Sequence, residues 1–576
     1  MITNLRAKPY NLDDEQIRWV ESTIESMSDE EKIGQLFINL GRSTDEAYIR
    51  DMVETYHIGG TRFTETSAEK IYEQNRLYQK YSKIPLLIAA NCETGGDGVC
   101  KEGTMVATEA QCGATGDPRA AYEMGRIGGI EASAVGCNWT FGPMADIVFN
   151  WRNTIVNTRS FGNDPEKVLE MSRAYIRGMH ESSMLVCTKH FPGDGVEERD
   201  QHLVMGINHL SWEEWEASFG RVYGGLIDDG LEAIMAGHIA FPDYSRRFGG
   251  VTRDVDIMPA TLAPELINGL LRTRLGFQGL VVTDASHMGG LLGAMPRSLQ
   301  VPKAIAAGCD MFLFFHDPAE DIRYMLDGYR SGIITEQRLQ EALEHILGLK
   351  AKLGLHKGAA PLAREGLGRI GCPEHVAAAE RIADESITLV KDTQRLLPVN
   401  SQQRPRARLY YIESAPVSYS DGQSPVRGII AEELERAGFK VDINESYYDM
   451  EMKESSPWNK FKAMDMPPVE EFKSKYDIVF VFVHMKGYAQ ENNVRVKFSA
   501  AHSNEFPWWV REVPTVCVSL NYTNHLFDLP MMQTFINAYA PTRACIRAAI
   551  EKITGRSEFK GSYNDNVWCE SWDTHR

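Results

Sequence analysis

Long apolar runs are missing from this 576-residue chain: nowhere do about 18 apolar residues follow one another, the length a membrane-spanning helix needs. The opening stretch, MITNLRAKPYNLDDEQIRWV, also lacks the apolar centre of a signal peptide. Positive charge is in short supply. Against 79 Asp and Glu stand 61 Lys and Arg, a formal net charge of −18, whereas nucleic acid and anionic membrane surfaces call for a basic patch. Neither is expected as the main partner. An acidic balance otherwise marks a solvated surface and identifies no substrate. Paired cysteines are absent as well. Cys92, Cys100, Cys112, Cys137, Cys187, Cys309, Cys372, Cys517, Cys545 and Cys569 are scattered, without the Cys-x-x-Cys spacing of a structural zinc site. Several lie in apolar segments such as LVCTKHF and TVCVSL, where a reduced, buried thiol is the usual case. A reducing compartment is expected, and the cytoplasm fits it.

What is present is the composition of a globular protein, 43% hydrophobic and 24% charged, with a length that suits two or three domains. From residue 30 onward short apolar runs alternate with longer stretches of helical period. The runs are GQLFINL (34–40), HIGGTRF (57–63), PLLIAAN (85–91), CNWTFGP (137–143), MLVCTKHF (184–191), AIMAGH (233–238), GLVVTDA (279–285) and CDMFLFF (309–315). Helical patterns include residues 68–82, 166–180 and 260–276, the last with Gly276 placed to stop it, and 336–353 closes the series. Eight such alternations predict an α/β fold, a (β/α)8 TIM-like barrel over residues 1–355. A doubly wound open sheet is the alternative. Residues 356–376, rich in Gly, Ala and Pro, read as a linker. A smaller layered α/β sandwich domain is expected over 377–576, with strands at 407–414, 477–484, 515–521 and 534–540 and helices at 375–390, 428–438 and 542–555.

Barrel enzymes build their sites at the C-terminal ends of the strands, so the polar residues ending each run are the first candidates. They are Asn91 and Glu93 after the third run, Asp146 beyond the fourth, Lys189 and His190 on the fifth, His238 on the sixth and Asp284 on the seventh. Acids and bases converging from several strands suit polar ligands such as sugars. Asp284 precedes a Gly-rich turn, where a carboxylate can attack an anomeric carbon or cap the following helix. The segment TKHFPGDGVEERDQH (188–202) says more. Its Phe191-Pro192-Gly193-Asp194-Gly195 stretch cannot be regular structure, and it presents Asp200 and His202 two residues apart. In an extended loop such residues point to one side. Asp200 can then accept a hydrogen bond from the His202 ring, fixing its tautomer and stabilising its charged form, as an acid/base histidine requires. Metal binding by His190, Asp194, Asp200 and His202 is the competing use, although no HExxH or tight His-x-His spacing backs it. A solvated loop without a role is the plainest reading.

These residues resemble family 3 of the glycoside hydrolases, and within it the bacterial β-N-acetylglucosaminidase branch, over nearly the whole chain. The family motif KHFPGxG…D-x-H is met by Lys189, His190, Phe191, Pro192, Gly193, Gly195, Asp200 and His202. The D-x-H element goes with the branch whose acid/base is a histidine on a mobile loop. By resemblance, PATLAPELINGLLRTRLGFQGLVVTDASHMGG (259–290) makes Asp284 the nucleophile and NTRSFGNDP (157–165) makes Arg159 a substrate contact. Lys189 and His190 carry over as contacts to sugar hydroxyls. MAGHIAFP (235–242) sets His238 on the site wall, and NWTFGPMADI (138–147) contains an Asp146 whose place is structural. Residues 383–399 and 517–541 resemble the family's second domain. One departure matters: where many members read D-Q-E-G-G, with the Asp on outer sugar hydroxyls, this chain has Asn91-Cys92-Glu93-Thr94-Gly95-Gly96. Asparagine donates as well as accepts, so the contacts of Asn91 bear on the preferred sugar more than on the reaction.

The resemblance implies a retaining, exo-acting β-N-acetylhexosaminidase that forms a covalent glycosyl-enzyme at Asp284 while His202, held by Asp200, protonates the leaving oxygen. Two alternatives keep the same residues. One is a β-N-acetylglucosaminide phosphorylase, since a neutral histidine base repels phosphate less than a carboxylate would. The other is a β-glucosidase-type member of the family. A non-catalytic carbohydrate-binding descendant would be expected to have lost Asp284 or His202, and both are present. The expected partner is a carbohydrate; neither metal nor cofactor is called for, and a homodimer is allowed for.

Overall fold

The computed structural model describes residues 2–63, 66–414, 425–446, 449, 466–485, 494–498 and 502–576. Each of the eight runs contains a strand: β1 (Phe37–Gly41), β2 (Gly60–Phe63), β3 (Leu87–Ala90), β4 (Trp139–Thr140), β5 (Leu185–Phe191), β6 (Ala233–Ala236), β7 (Leu280–Ala285) and β8 (Met311–Leu313). They pair in parallel and close in the order β1-β8-β7-β6-β5-β4-β3-β2. The β1–β8 pair makes this a barrel and excludes the open sheet. Strands of such a barrel are covered by helices outside and by side-chain layers inside, so they read as unbroken apolar runs. All seven residues of β5 are buried, Lys189 and His190 included.

The helical stretches also form. Helix Pro165–His180 starts where Asp164 accepts the Glu166 N–H at 2.9 Å, with proline in its first turn. Helix Glu336–Lys352 is capped by Thr335. Residues 260–276 are less regular than their period suggests: a 3-10 turn (Ala260–Leu262) precedes a π-helix (Glu265–Arg274), and Gly276 follows at φ +73°.

Two barrel strands depart from regular pairing, both at polar residues singled out above. Between the pairs Thr188↔Ile234 and Phe191↔Ala236, β5 holds one residue more than β6. Between Val282↔Met311 and Ala285↔Leu313, β7 holds one residue more than β8. The extra residues fall at Lys189–His190 and Thr283–Asp284, and a bulge re-aims side chains that strict alternation would send to opposite faces. Thr283 Oγ1 accepts the Leu313 N–H at 2.9 Å, so that donor is not stranded.

Two compact units divide the chain. One comprises Met1–Val106, Pro118–Val148 and Gly162–Val376; the other comprises Ala107–Asp117, Phe149–Phe161 and Ala377–Arg576. The second is built on a six-stranded sheet, β9 (Thr388–Asp392), β10 (Arg406–Glu413), β11 (Lys440–Ile443), β12 (Ile478–His484), β13 (Thr515–Ser519) and β14 (Thr534–Asn537), in the order β9-β14-β13-β12-β10-β11. Among the described strands only the β9–β14 pair is antiparallel. Its core includes Tyr410 stacked on Trp509 at 3.8 Å, with Ile412, Val481 and Phe535. The helix expected over 375–390 stops at Ser386, and Thr388–Asp392 is a strand instead. Thr388 and Leu389 pair with Asn537 and Ile536, and that pairing overrides the apolar period of the sequence. The edge strand β11 carries no apolar run, and three of its four residues are exposed. Among the described residues no helix is long and apolar enough to cross a membrane. All ten cysteines are free.

Candidate active site

β7 delivers Asp284 to the C-terminal mouth of the barrel. Its Oδ1 accepts the Ala285 N–H at 2.7 Å, while Oδ2 is buried, has no hydrogen-bond partner among the described residues and faces His190 Nε2 at 3.8 Å. Burial pushes the carboxyl pKa up. The imidazoles of His190, His238 and His202, with the Ala285 N–H, outweigh burial and hold it below the ordinary carboxylate range. The result is an ionised group with one oxygen tethered and the other bare.

His190 owes its orientation to Asp146, which is fully buried beyond β4. Asp146 accepts from His190 Nδ1 at 2.7 Å and from the backbone N–H groups of His190 at 3.2 Å and Asp194 at 2.8 Å. Nε2 is thereby left toward Asp284. The neighbouring Lys189 forms an ion pair with Glu93, from the loop after β3. Asn91 opens that loop, its Oδ1 buried and without a hydrogen-bond partner among the described residues. Glu131 anchors the loop from below, accepting from Thr104 N and Oγ1 at 2.7 Å each, from Gly371 N at 3.0 Å and from His375 Nδ1 at 2.6 Å.

The loop after β5 turns at Gly195, whose φ of +99° and 2.1 Å clearance between a would-be Cβ and the Ile147 carbonyl admit only glycine. It returns as a two-residue strand, Gly206–Ile207, beside Ile239–Ala240. Between these points stands the expected pair: His202 Nδ1 and its backbone N–H both lie 2.7 Å from Asp200 Oδ1. The segment is not extended, however. Leu203 N and Val204 N donate to the Asp200 carbonyl at 3.0 and 3.1 Å, so the pair forms within a turn in which the Asp side chain accepts from the backbone two residues on. The Asp200 side chain is fully buried and that of His202 19% exposed, leaving Nε2 as the outward nitrogen.

His238 does not offer itself to a sugar. It is fully buried, its Nε2 donates to the Ala285 carbonyl at 3.0 Å, and its Nδ1 lies 2.9 Å from Thr261 Oγ1. Burial lowers its pKa, and the ring fixes the strand end that carries Asp284. Arg159 belongs to the second unit, at the end of the 3-10 helix Asn157–Arg159, where it donates to the Ile155 carbonyl at 3.4 Å. The barrel itself thus assembles Asp284, His190, Lys189, Asn91, Asp200 and His202. Sequence reasoning missed Gln201, Glu131 and His287. Of these only His287, three residues past Asp284, carried a positional signal; its pKa is lowered by burial, with Asp284 acting against the shift.

Ionised carboxylate, carboxylate-bound imidazole and partnerless buried polar atoms at one barrel mouth define an enzyme site for a polar substrate. The model of the glycosyl hydrolase family 3 N-terminal domain matches residues 28–349. The chain belongs to glycosyl hydrolase family 3 and is a glycoside hydrolase acting on carbohydrate. It is 38% identical over 573 residues to a β-N-acetylglucosaminidase/β-glucosidase of Cellulomonas fimi, covering 99% of this chain and 100% of that one. It is 29% identical over 316 residues to a β-hexosaminidase of Pseudomonas aeruginosa (strain PAO1), covering 53% of this chain and 90% of that one. Among solved structures, β-glucoside phosphorylase BglX superposes with a TM-score of 0.91 at 37% identity over 99% of both chains. A family 3 β-N-acetylglucosaminidase from Paenibacillus sp. str. FPU-7 shares the fold, with a TM-score of 0.77 at 23% identity over 93% of this chain and 98% of that one.

Proposed function

We propose that the protein is a retaining, exo-acting β-glycosidase of the N-acetylhexosaminidase type, with Asp284 as nucleophile and His202, paired with Asp200, as acid/base. The observation that carries the reading is the 2.7 Å contact between His202 and Asp200. A histidine serves as acid only when charged, and a buried carboxylate on Nδ1 stabilises that form while leaving Nε2–H to donate. In the first step Asp284 Oδ2 bonds to the anomeric carbon, the glycosidic C–O bond breaks, and His202 gives its proton to the leaving oxygen. In the second, neutral His202 takes a proton from water, whose oxygen displaces Asp284. Lys189, His190, Asn91 and Arg159 are the substrate contacts. Free, mostly buried thiols suit a cytoplasmic enzyme. Comparison of aryl β-glycosides in gluco and galacto configuration, with and without the 2-acetamido group, tests the sugar. Equal or better rates on the plain pair would remove the hexosaminidase assignment and leave a β-glucosidase.

A second reading replaces water by inorganic phosphate. It is favoured by the full-length likeness to a β-glucoside phosphorylase and by the neutral histidine base, which repels an incoming anion less than a carboxylate does. Product analysis with and without phosphate separates the two: free sugar in both cases supports hydrolysis, and phosphate-dependent sugar 1-phosphate supports phosphorolysis.

A further inference from the structure

We propose that Gln201 is a positioning residue that ties the acid/base loop to the nucleophile strand and so sets the reach of His202 toward the bond that Asp284 attacks; this rests on the catalytic reading above. Among the described residues the ring of His202 bonds only to Asp200, which sits on the same loop. The pair therefore fixes how the imidazole is turned but not how far it stands from Asp284. That distance matters, because misplacing a reacting group by about 1 Å can cost about a hundredfold in rate.

Gln201, between the two members of the pair, is 1% exposed. Its Oε1 accepts the backbone N–H of His238 at 2.8 Å. His238 donates from Nε2 to the Ala285 carbonyl at 3.0 Å, and the Ala285 N–H holds Asp284 Oδ1 at 2.7 Å. A chain of contacts thus joins the residue beside His202 to the nucleophile. The backbone makes a second tie: Gly290 N–H donates to the Gln201 carbonyl at 3.1 Å and Gly289 N–H to the His202 carbonyl at 2.7 Å. Both ties demand close approach, since a Cβ at Gly290 would stand 2.7 Å from the Gln201 carbonyl oxygen and 3.0 Å from His238 Cβ.

Gln201→Met keeps length and bulk and removes the acceptor; Gly290→Ala strains the backbone tie independently. Hydrogen–deuterium exchange over residues 196–207 of the full-length protein reads the tie itself, and faster exchange there in both variants, with the remaining barrel unchanged, is expected. Rates on aryl β-glycosides of graded leaving-group acidity read its purpose. In Gln201→Met, kcat/KM should fall about tenfold on a phenyl glycoside and less than about twofold on a dinitrophenyl one, because good leaving groups need little protonation. Unchanged exchange in both variants, or an equal loss on all leaving groups, overturns the proposal. His202→Ala is run alongside: if it shows no leaving-group dependence, the acid role of His202 fails, while exchange still decides whether Gln201 ties the loop.

Discussion

His190 Nε2 lies 3.8 Å from Asp284 Oδ2, and the same ring is held from behind by Asp146 at 2.7 Å. One carboxylate thus aims an imidazole at the other. Asp146→Asn keeps the shape, but its amide offers one acceptor oxygen where the carboxylate had two. kcat/KM should fall about 10- to 100-fold, the scale seen when a carboxylate behind a metal-binding histidine is lost. Wild-type kcat/KM in a folded variant would show that the contact is incidental.

Asp284→Ala should lower turnover by several orders of magnitude without unfolding the barrel. A slow-reacting 2-fluoro sugar should label Asp284, as peptide mass analysis would show. A label elsewhere, or a variant keeping about a tenth of normal activity, rejects the assignment.

Asp200→Ala and His202→Ala should both be severely impaired on aryl glycosides with poor leaving groups and less so on activated ones, which need little protonation. Asp200→Ala acts by loosening the imidazole and removing the partner of its charged form. Equal loss on all leaving groups in both variants would contradict the acid role of the pair.

Stability should fall with acid because of histidines buried neutral. Burial, then the nearby His484, pushes His525 down to about 3, and burial lowers His238. An unfolded histidine titrates near about 6.5. Below that pH the unfolded chain takes up protons that the folded one refuses, so stability is full above it and is lost down to the folded pKa. The slope is about 1.4 kcal/mol per pH unit for each such histidine. Urea midpoints between about pH 7 and 4.5 should fall less steeply for His525→Asn, whose amide can replace the Nδ1 contact to Ser519 Oγ at 2.7 Å. An unchanged slope would show that His525 charges in the folded state.

The eight barrel strands were legible because strands buried on both faces must be apolar throughout, and the Asp200–His202 pair because its geometry is local. What stayed hidden depends on contacts made across the chain. Thr388 becomes a strand residue only through Asn537, and His238 becomes a support only because the Ala285 carbonyl lies above it. The bulge at Lys189–His190, which lets neighbouring side chains serve Glu93 and Asp146 together, needs the register of β6 to exist at all.

The threading of the second unit bears on how the chain is made. Residues 107–117 and 149–161 leave the ribosome long before their partners: Asn157 Oδ1 accepts the N–H of Thr523, 366 positions later, and Trp151 packs on Phe527 with ring centres 4.7 Å apart. Until the sheet is synthesised these two excursions have only each other from their own unit to fold against. A nascent chain ending near residue 376 would therefore carry Trp151 uncovered by its partner, a natural handle for a chaperone, and the second unit cut from the rest would lack two of its own pieces.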